Sequence, residues 1–350
     1  MPATKLVRGA LPAALAMTAI AITGNAAGRE IQGRPAPSYA VTDRIAGADG
    51  GWDFAVVDTD SGKLYVARSN AVSVVDLATR RVTDHLAAAD RAHQVLVLDH
   101  GRTIFETDGT TGLGRFIDST TGAVIAEVGT GKKPDAAFLD PRTGLIAVMN
   151  AGDGTVALVD PAAHRLAGRI DVGGGTEYGV ADGAGGAFVN IEDQAVIARL
   201  DLVRRKRTGT IALPGCEGPT GLALVARGTR LIAACANQVA LAIDTATGKV
   251  AARLPIGRDP DAVLADPARG LAFIPCGGSG TLVAVAIADA GRIHVVTTIP
   301  TQIGAKTGAI DPRDGRIYLP AATLAAPEPG AKRGRPVPGT FVVLVVAPHS

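Results

Sequence analysis

Aromatic residues are scarce in this chain: one Trp, four Tyr and seven Phe, 3% of 350 residues. A charge excess is lacking too, with 35 basic residues against 33 acidic ones. Nucleic-acid binding generally needs a basic track with stacking partners, and neither shortage suits it. The basic run at 204–207 and the trio Lys332, Arg333 and Arg335 are too short to supply that track. There are only three cysteines, and neither CxxCH nor HExxH occurs. Covalent haem attachment and a zinc-protease helix therefore have nothing to build on. No GxSxG elbow is present, and "GTGKK" at 129–133 has the wrong spacing for a phosphate loop. Beyond residue 27 no apolar run is long enough for a membrane-spanning helix.

What the chain has in quantity is turn formers and short apolar runs. Gly occurs 44 times and Pro 21 times, and 47% of residues are hydrophobic. With little helical periodicity, that composition predicts many short strands. The length is enough to bury a sizeable core, as one large domain or two.

Residues 1–27 read as a secretory signal peptide. Lys5 and Arg8 precede an apolar stretch from about Ala10 to Ile22, and small residues follow from Gly24 to Ala27. No twin-Arg pair and no Cys at the exit accompany it. The expected location is periplasmic or secreted, with no membrane span after cleavage. Loss of Lys5 and Arg8 would leave 33 basic residues against 33 acidic ones. Residues 28–37 are expected to form a short leader before a single domain at 38–347.

Within that domain one phrase recurs. "LDPRTGLIAVMNAGDGTVALVD" at 139–160 has counterparts throughout, such as "LYVARSNAVSVVD" at 64–76. The first-turn positions Asp58, Asp99, Asp140, Asp182, Val225, Asp266 and Asp311 are 41–45 residues apart. Each copy holds four apolar runs too short for helices, joined by Asp/Gly turns and by a "DxxTxxV" phrase. Four antiparallel strands per copy, seven times over, predict an all-β, seven-bladed β-propeller. The seventh copy ends after three runs, and "SYAVTDRIAG" at 38–47 is expected to supply its fourth strand and close the ring. The segment 321–339 is an insertion in that last blade.

"IAVMNAGDGTVALVD" and "LYVARSNAVSVVD" resemble the repeat of the YVTN-type, YncE-like seven-bladed propellers. The resemblance covers residues 38–347. It implies the WD40-like ring architecture. It implies no single activity, because related propellers serve as lactonases, quinoprotein subunits, haem domains and plain binding proteins. The pattern departs at "ADGAGG" in the fourth copy and at Val225 in the fifth.

In such a ring the loops leading into the innermost strands converge on the channel mouth with the turns between second and third strands. The ligand-binding candidates from the first set are Trp52, Asp53, His93, Gln94, Asp135, Glu177, Tyr178, Asp261 and Lys306, with Thr220 beside them. The second set adds Asn150 and Asn190, along with Asn70, Glu106, Asp108 and Glu192. Asp53, Asp135, Glu177 and Asp261 are candidate ligands for Ca²⁺ or Mg²⁺, which favour carboxylate oxygens. The alternative is that these loops are polar because they are wet. His93 is the one candidate general base. Cys216 and Cys235 lie near one rim and form either a disulfide or, with Cys276, three inert thiols.

The function expected is an exported, monomeric binding or scaffold protein. Its channel mouth would hold a small ligand or a protein partner, with no membrane and no nucleic acid involved. Two alternatives are a metal-dependent, lactonase-like hydrolase and an accessory subunit of a periplasmic dehydrogenase.

Overall fold

The computed structural model describes Met1 and residues 38–287, 292–330 and 334–349. Apart from Met1, the expected signal peptide and the 28–37 leader lie outside the described residues, as do Lys332 and Arg333 of the insertion.

The described chain forms seven four-stranded antiparallel sheets and no α-helix. The innermost strands, blades 1 to 7 in order, are Trp52–Asp58, Ala92–Leu98, Pro134–Leu139, Thr176–Ala181, Pro219–Val225, Leu264–Asp266 and Ala309–Ile310. In six blades the four strands follow in sequence order. Blade 7 is composite: Ala309–Ile310, Ile317–Ala321, Val342–His349 and, outermost, Ser38–Ala46. The ring is thus a seven-bladed β-propeller closed by its N-terminal strand, which pairs from Ser38↔His349 to Ala46↔Val342.

The repeated turn phrase has a direct physical cause. At the end of a third strand, Asp76 Oδ1 accepts hydrogen bonds from the amides of Ala78 and Thr79 and from the Thr79 hydroxyl. Asp118 with Thr121 and Asp244 with Thr247 do the same. These backbone and hydroxyl donors hold the three carboxyls below the usual carboxylate range. Gly122, at φ +74°, belongs to one such turn, and a Cβ there would come within 1.6 Å of the Leu86 carbonyl oxygen.

Alternation along the strands explains why each blade needs two neighbours. In Ile146–Asn150 of blade 3, Ile146 and Val148 pack with Phe105 and Phe116 of blade 2. Ala147 and Met149 pack with Val189 and Ile191 of blade 4. Seven such clusters fill the seven gaps between blades. Cys216 and Cys235 of blade 5 are joined as a disulfide. Cys276 is free and buried, and burial pushes its thiol up to about 12.

The basic run at 204–207 is a turn only in its first half, since Lys206 begins the outer strand Lys206–Ala212. Arg205 and Arg207 donate to the carbonyls of Ala167 and Val172 in blade 3. These arginines tie adjacent blades together.

Candidate functional site

One equivalent position recurs at the entry to each inner strand: Asp53, His93, Asp135, Glu177, Thr220, Asp261 and Lys306. All seven line a cavity of about 900 Å³ at the channel mouth. In blades 1 to 5 this residue is second in its inner strand, where a local register shift turns the side chain towards the axis, whereas Asp261 and Lys306 precede Leu264–Asp266 and Ala309–Ile310 by three residues.

Five of these side chains form a continuous arc across consecutive blades. Asp261 accepts from the Lys306 ammonium, which also reaches Asp53 Oδ1 at 3.4 Å. The other Asp53 oxygen is 2.6 Å from His93 Nδ1, and Asp135 Oδ1 lies 3.5 Å from that same nitrogen. The His93 ring fits there because residue 109 is glycine: a Cβ would stand 2.6 Å from Nε2.

Burial raises the pKa of Asp53, but the Lys306 charge and the His93 hydrogen bond outweigh it and hold the carboxyl below its ordinary value. His93 is moved the other way: burial disfavours the imidazolium, and the Asp53 hydrogen bond with the Asp135 charge more than restores it. Asp135 is pushed up to about 6, by burial and by Asp53 and Asp261, against the charge of His93. Glu177 is pushed well above its usual range by burial, then by Asp135, Asp261 and Glu192. The arc is neutralised at the Lys306 end and short of positive charge at the Glu177 end.

An aromatic pair closes the channel below this ring. Phe54 of blade 1 and Tyr178 of blade 4 meet across the axis with centroids 5.1 Å apart. Ala136 and Ala262, at the equivalent position of other blades, pack in the same cluster. Phe54 lines the cavity, and Tyr178 packs against it without lining the cavity itself. Sequence reasoning named Tyr178 and missed Phe54. The available signal was that only these two equivalent positions carry large rings, while Ala136, Gly221 and Ala262 are small.

Other expected site residues are placed elsewhere. Gln94 is buried and donates to its neighbour's carbonyl. Trp52 packs 5.7 Å from Phe341, whose ring also carries the Arg68 guanidinium at 3.6 Å. Asn150 and Asn190 are fully buried. Asn150 donates to the Thr130 carbonyl and Asn190 to that of Thr220 in the next blade, so both act as backbone staples. These four side chains do not line the cavity. The expected cation set is also redistributed. The metal-compatible group among the described residues is Asp53, His93 and Asp135, with donor atoms within 4.8 Å of one another. Glu177 stands outside that group, and Asp261 is engaged by Lys306.

The insertion reaches the site. Leu324 and Pro336 bridge its two limbs, and Gly339 N donates to Asp49 at 2.6 Å. Leu324, Ala325 and Pro327 line one side of the cavity. Arg91, Glu192, Arg258 and Asp259 complete its polar rim.

Behind the ring, Glu106 is fully buried and accepts from Arg115 Nε at 2.8 Å, with Asp108 and His93 as the other charged groups near it. Burial pushes its carboxyl up to about 7 against the pull of Arg115, which stays protonated. A pKa raised on folding from 4.5 contributes stability below 4.5 that is lost as pH rises through 7. Chemical denaturation should therefore show wild type losing up to about 3 kcal/mol between pH 5 and pH 8 relative to Glu106→Gln. Parallel pH profiles for the two proteins would contradict this reading of Glu106.

No family model matches the sequence, and no curated protein does. Solved structures do. A chain of Kuenenia stuttgartiensis hydrazine synthase aligns with TM-score 0.68 and 15% identity, over 78% of this chain and 94% of that one. A chain from the crystal structure of the mitotic checkpoint complex aligns with TM-score 0.72 and 13% identity, over 99% of each chain. The likeness is one of fold. The described residues contain no helix long and apolar enough to cross a membrane.

Proposed function

We propose that this propeller is an exported, monomeric protein of the YVTN-type, YncE-like kind that binds a small ligand at its channel mouth. The observation that carries the reading is the cavity itself. It has a volume of about 900 Å³, a floor made by Phe54, a ring of seven equivalent inward residues and an inserted loop along one rim. Pockets of this size, with few convergent polar groups, are the usual place for a ligand. The 1–27 leader supports export, and the Cys216–Cys235 disulfide suits an oxidising compartment.

The test is a thermal-shift screen of a metabolite library against wild type and Ala236→Trp. Ala236 is exposed and lines the cavity, so the indole should fill it without disturbing the core. Compounds that stabilise wild type and not the variant mark the mouth. Hits that stabilise both equally would move the binding site elsewhere and sink the reading.

One observation favours a second reading, the metal-dependent hydrolase. Asp53, His93 and Asp135 offer two carboxylates and an imidazole at ligating separation. Against it, His93 Nδ1 is committed to Asp53, and a divalent ion would sit one carboxylate away from the Lys306 ammonium. After EDTA treatment, Ca²⁺, Mg²⁺ or Zn²⁺ should each leave Tm unchanged on the binding reading. A metal-specific rise lost in Asp135→Ala, with lactone turnover, would favour the hydrolase.

A further inference from the structure

The order of charges round the mouth is informative. From blade 6 through blade 7 to blade 3, the inward residues run Asp261, Lys306, Asp53, His93, Asp135: acid, base, acid, base, acid. Each neighbouring pair is in hydrogen-bond or ion-pair contact. The alternation then fails. Glu177 of blade 4 follows Asp135, so two carboxylates adjoin in the same cavity. Thr220 of blade 5 supplies no charge, and its hydroxyl donates to the Pro260 carbonyl at 2.8 Å. Among the described residues, Glu177 has no hydrogen-bond or ion-pair partner. Every other acid of the ring has a cation from this chain.

We propose that the ligand supplies the missing cation: a small organic ammonium whose charge lies between Asp135 and Glu177 and whose apolar body rests against the inserted loop. This rests on the channel-mouth binding reading and adds its chemical class.

Three further observations fit an organic cation. The cavity has far more room than an ion needs, at about 900 Å³. Its lining is mixed, with the carboxylates of the inward ring and the apolar Leu324, Ala325 and Pro327 of the inserted loop sharing one space. The Phe54 ring lines the same space, and an aromatic ring near an ammonium adds attraction. A Ca²⁺ ion, by contrast, takes six to eight oxygens, and among the acids of the inward ring only Asp135 and Glu177 are without a cation tightly held against them. The two carboxyls adjoin in the same cavity with no cation between them among the described residues. An ammonium ion would relieve their mutual repulsion.

Isothermal titration of the full mature chain tests the proposal with three matched probes, 2-phenylethylamine, 2-phenylethanol and phenylacetate, and with Ca²⁺ alone. The amine should bind, and the alcohol and acid should bind at least tenfold more weakly. Glu177→Gln, which relieves repulsion and should fold, is expected to weaken the amine at least tenfold and to leave the alcohol unaffected. Leu324→Asp, on the inserted loop, should weaken the amine through its apolar body. Equal binding of alcohol and amine, or an amine affinity indifferent to Glu177→Gln, would overturn the cationic class while leaving a ligand at the mouth. Calcium binding that depends on Glu177, with no amine binding, would replace the organic cation by a metal. Absence of any binding here, together with no library hit sensitive to Ala236→Trp, would remove both readings.

Discussion

Removal of Ser38–Ala46 is expected to abolish the cooperative fold. This strand is outermost in blade 7 and is the one piece of that sheet delivered from the other end of the chain. It contributes Tyr39 to the core between blades 6 and 7 and Ile45 to the core between blades 7 and 1. Tyr39 also stacks edge-on against Phe273 at 4.8 Å. Without it, Val342–His349 becomes a long apolar edge, which invites pairing with other chains. The truncated protein should aggregate or lose its sharp thermal transition. Tyr39→Ala alone should cost about 3–5 kcal/mol, as truncation of a large buried ring does. A synthetic peptide of residues 38–46 added in trans should restore part of the transition. A truncated variant that stays monomeric and melts within a few degrees of wild type would show that the closure is dispensable.

Lys306→Met carries the second large effect. The ammonium stands between Asp53 and Asp261, and all three side chains are at least four-fifths buried. Deleting the cation leaves two carboxylates facing each other in a partly desolvated ring. Breaking a buried pair by removing one partner typically costs about 3–5 kcal/mol. The three side chains keep some exposure, so the lower end applies. For a domain of this size that is a Tm loss of roughly 5 °C. Adding Asp261→Asn should recover part of it, because the orphaned charge is then gone. An unchanged Tm in Lys306→Met would mean that Asp53 and Asp261 are solvated enough to need no counter-ion. A further fall in the double variant would mean that Asp261 serves some other partner.

The repeat phrases made the architecture readable because their causes are local. Asp–x–x–Thr forms its turn from residues at most four apart, as Asp76 and Thr79 do. Gly122 is glycine because its own turn needs positive φ and clearance from Leu86. A pattern written in local turns survives in a single sequence, so the seven copies and the closing strand could be counted.

What each candidate does at the mouth could not be read the same way. Trp52 and Gln94 adjoin Asp53 and His93 in sequence, yet alternation and the register shift send them into packing and leave their neighbours on the axis. Asn150 ends its second strand and Asn190 is the last but one residue of its own, but both are spent on carbonyls across blade gaps.

The sequence by itself determined the blade count, the strand order and the closure, since turn chemistry and period act over short chain distances. Only the tertiary structure decided the partners. Asp261, Lys306, Asp53, His93 and Asp135 lie up to 253 residues apart and come into contact only when the ring closes. The pairing of Lys306 with two carboxylates, the Phe54–Tyr178 plug and the carboxylate left without a cation at Glu177 all follow from that closure. Electrostatic contact depends on distance in space, and in a ring the first and last blades are neighbours.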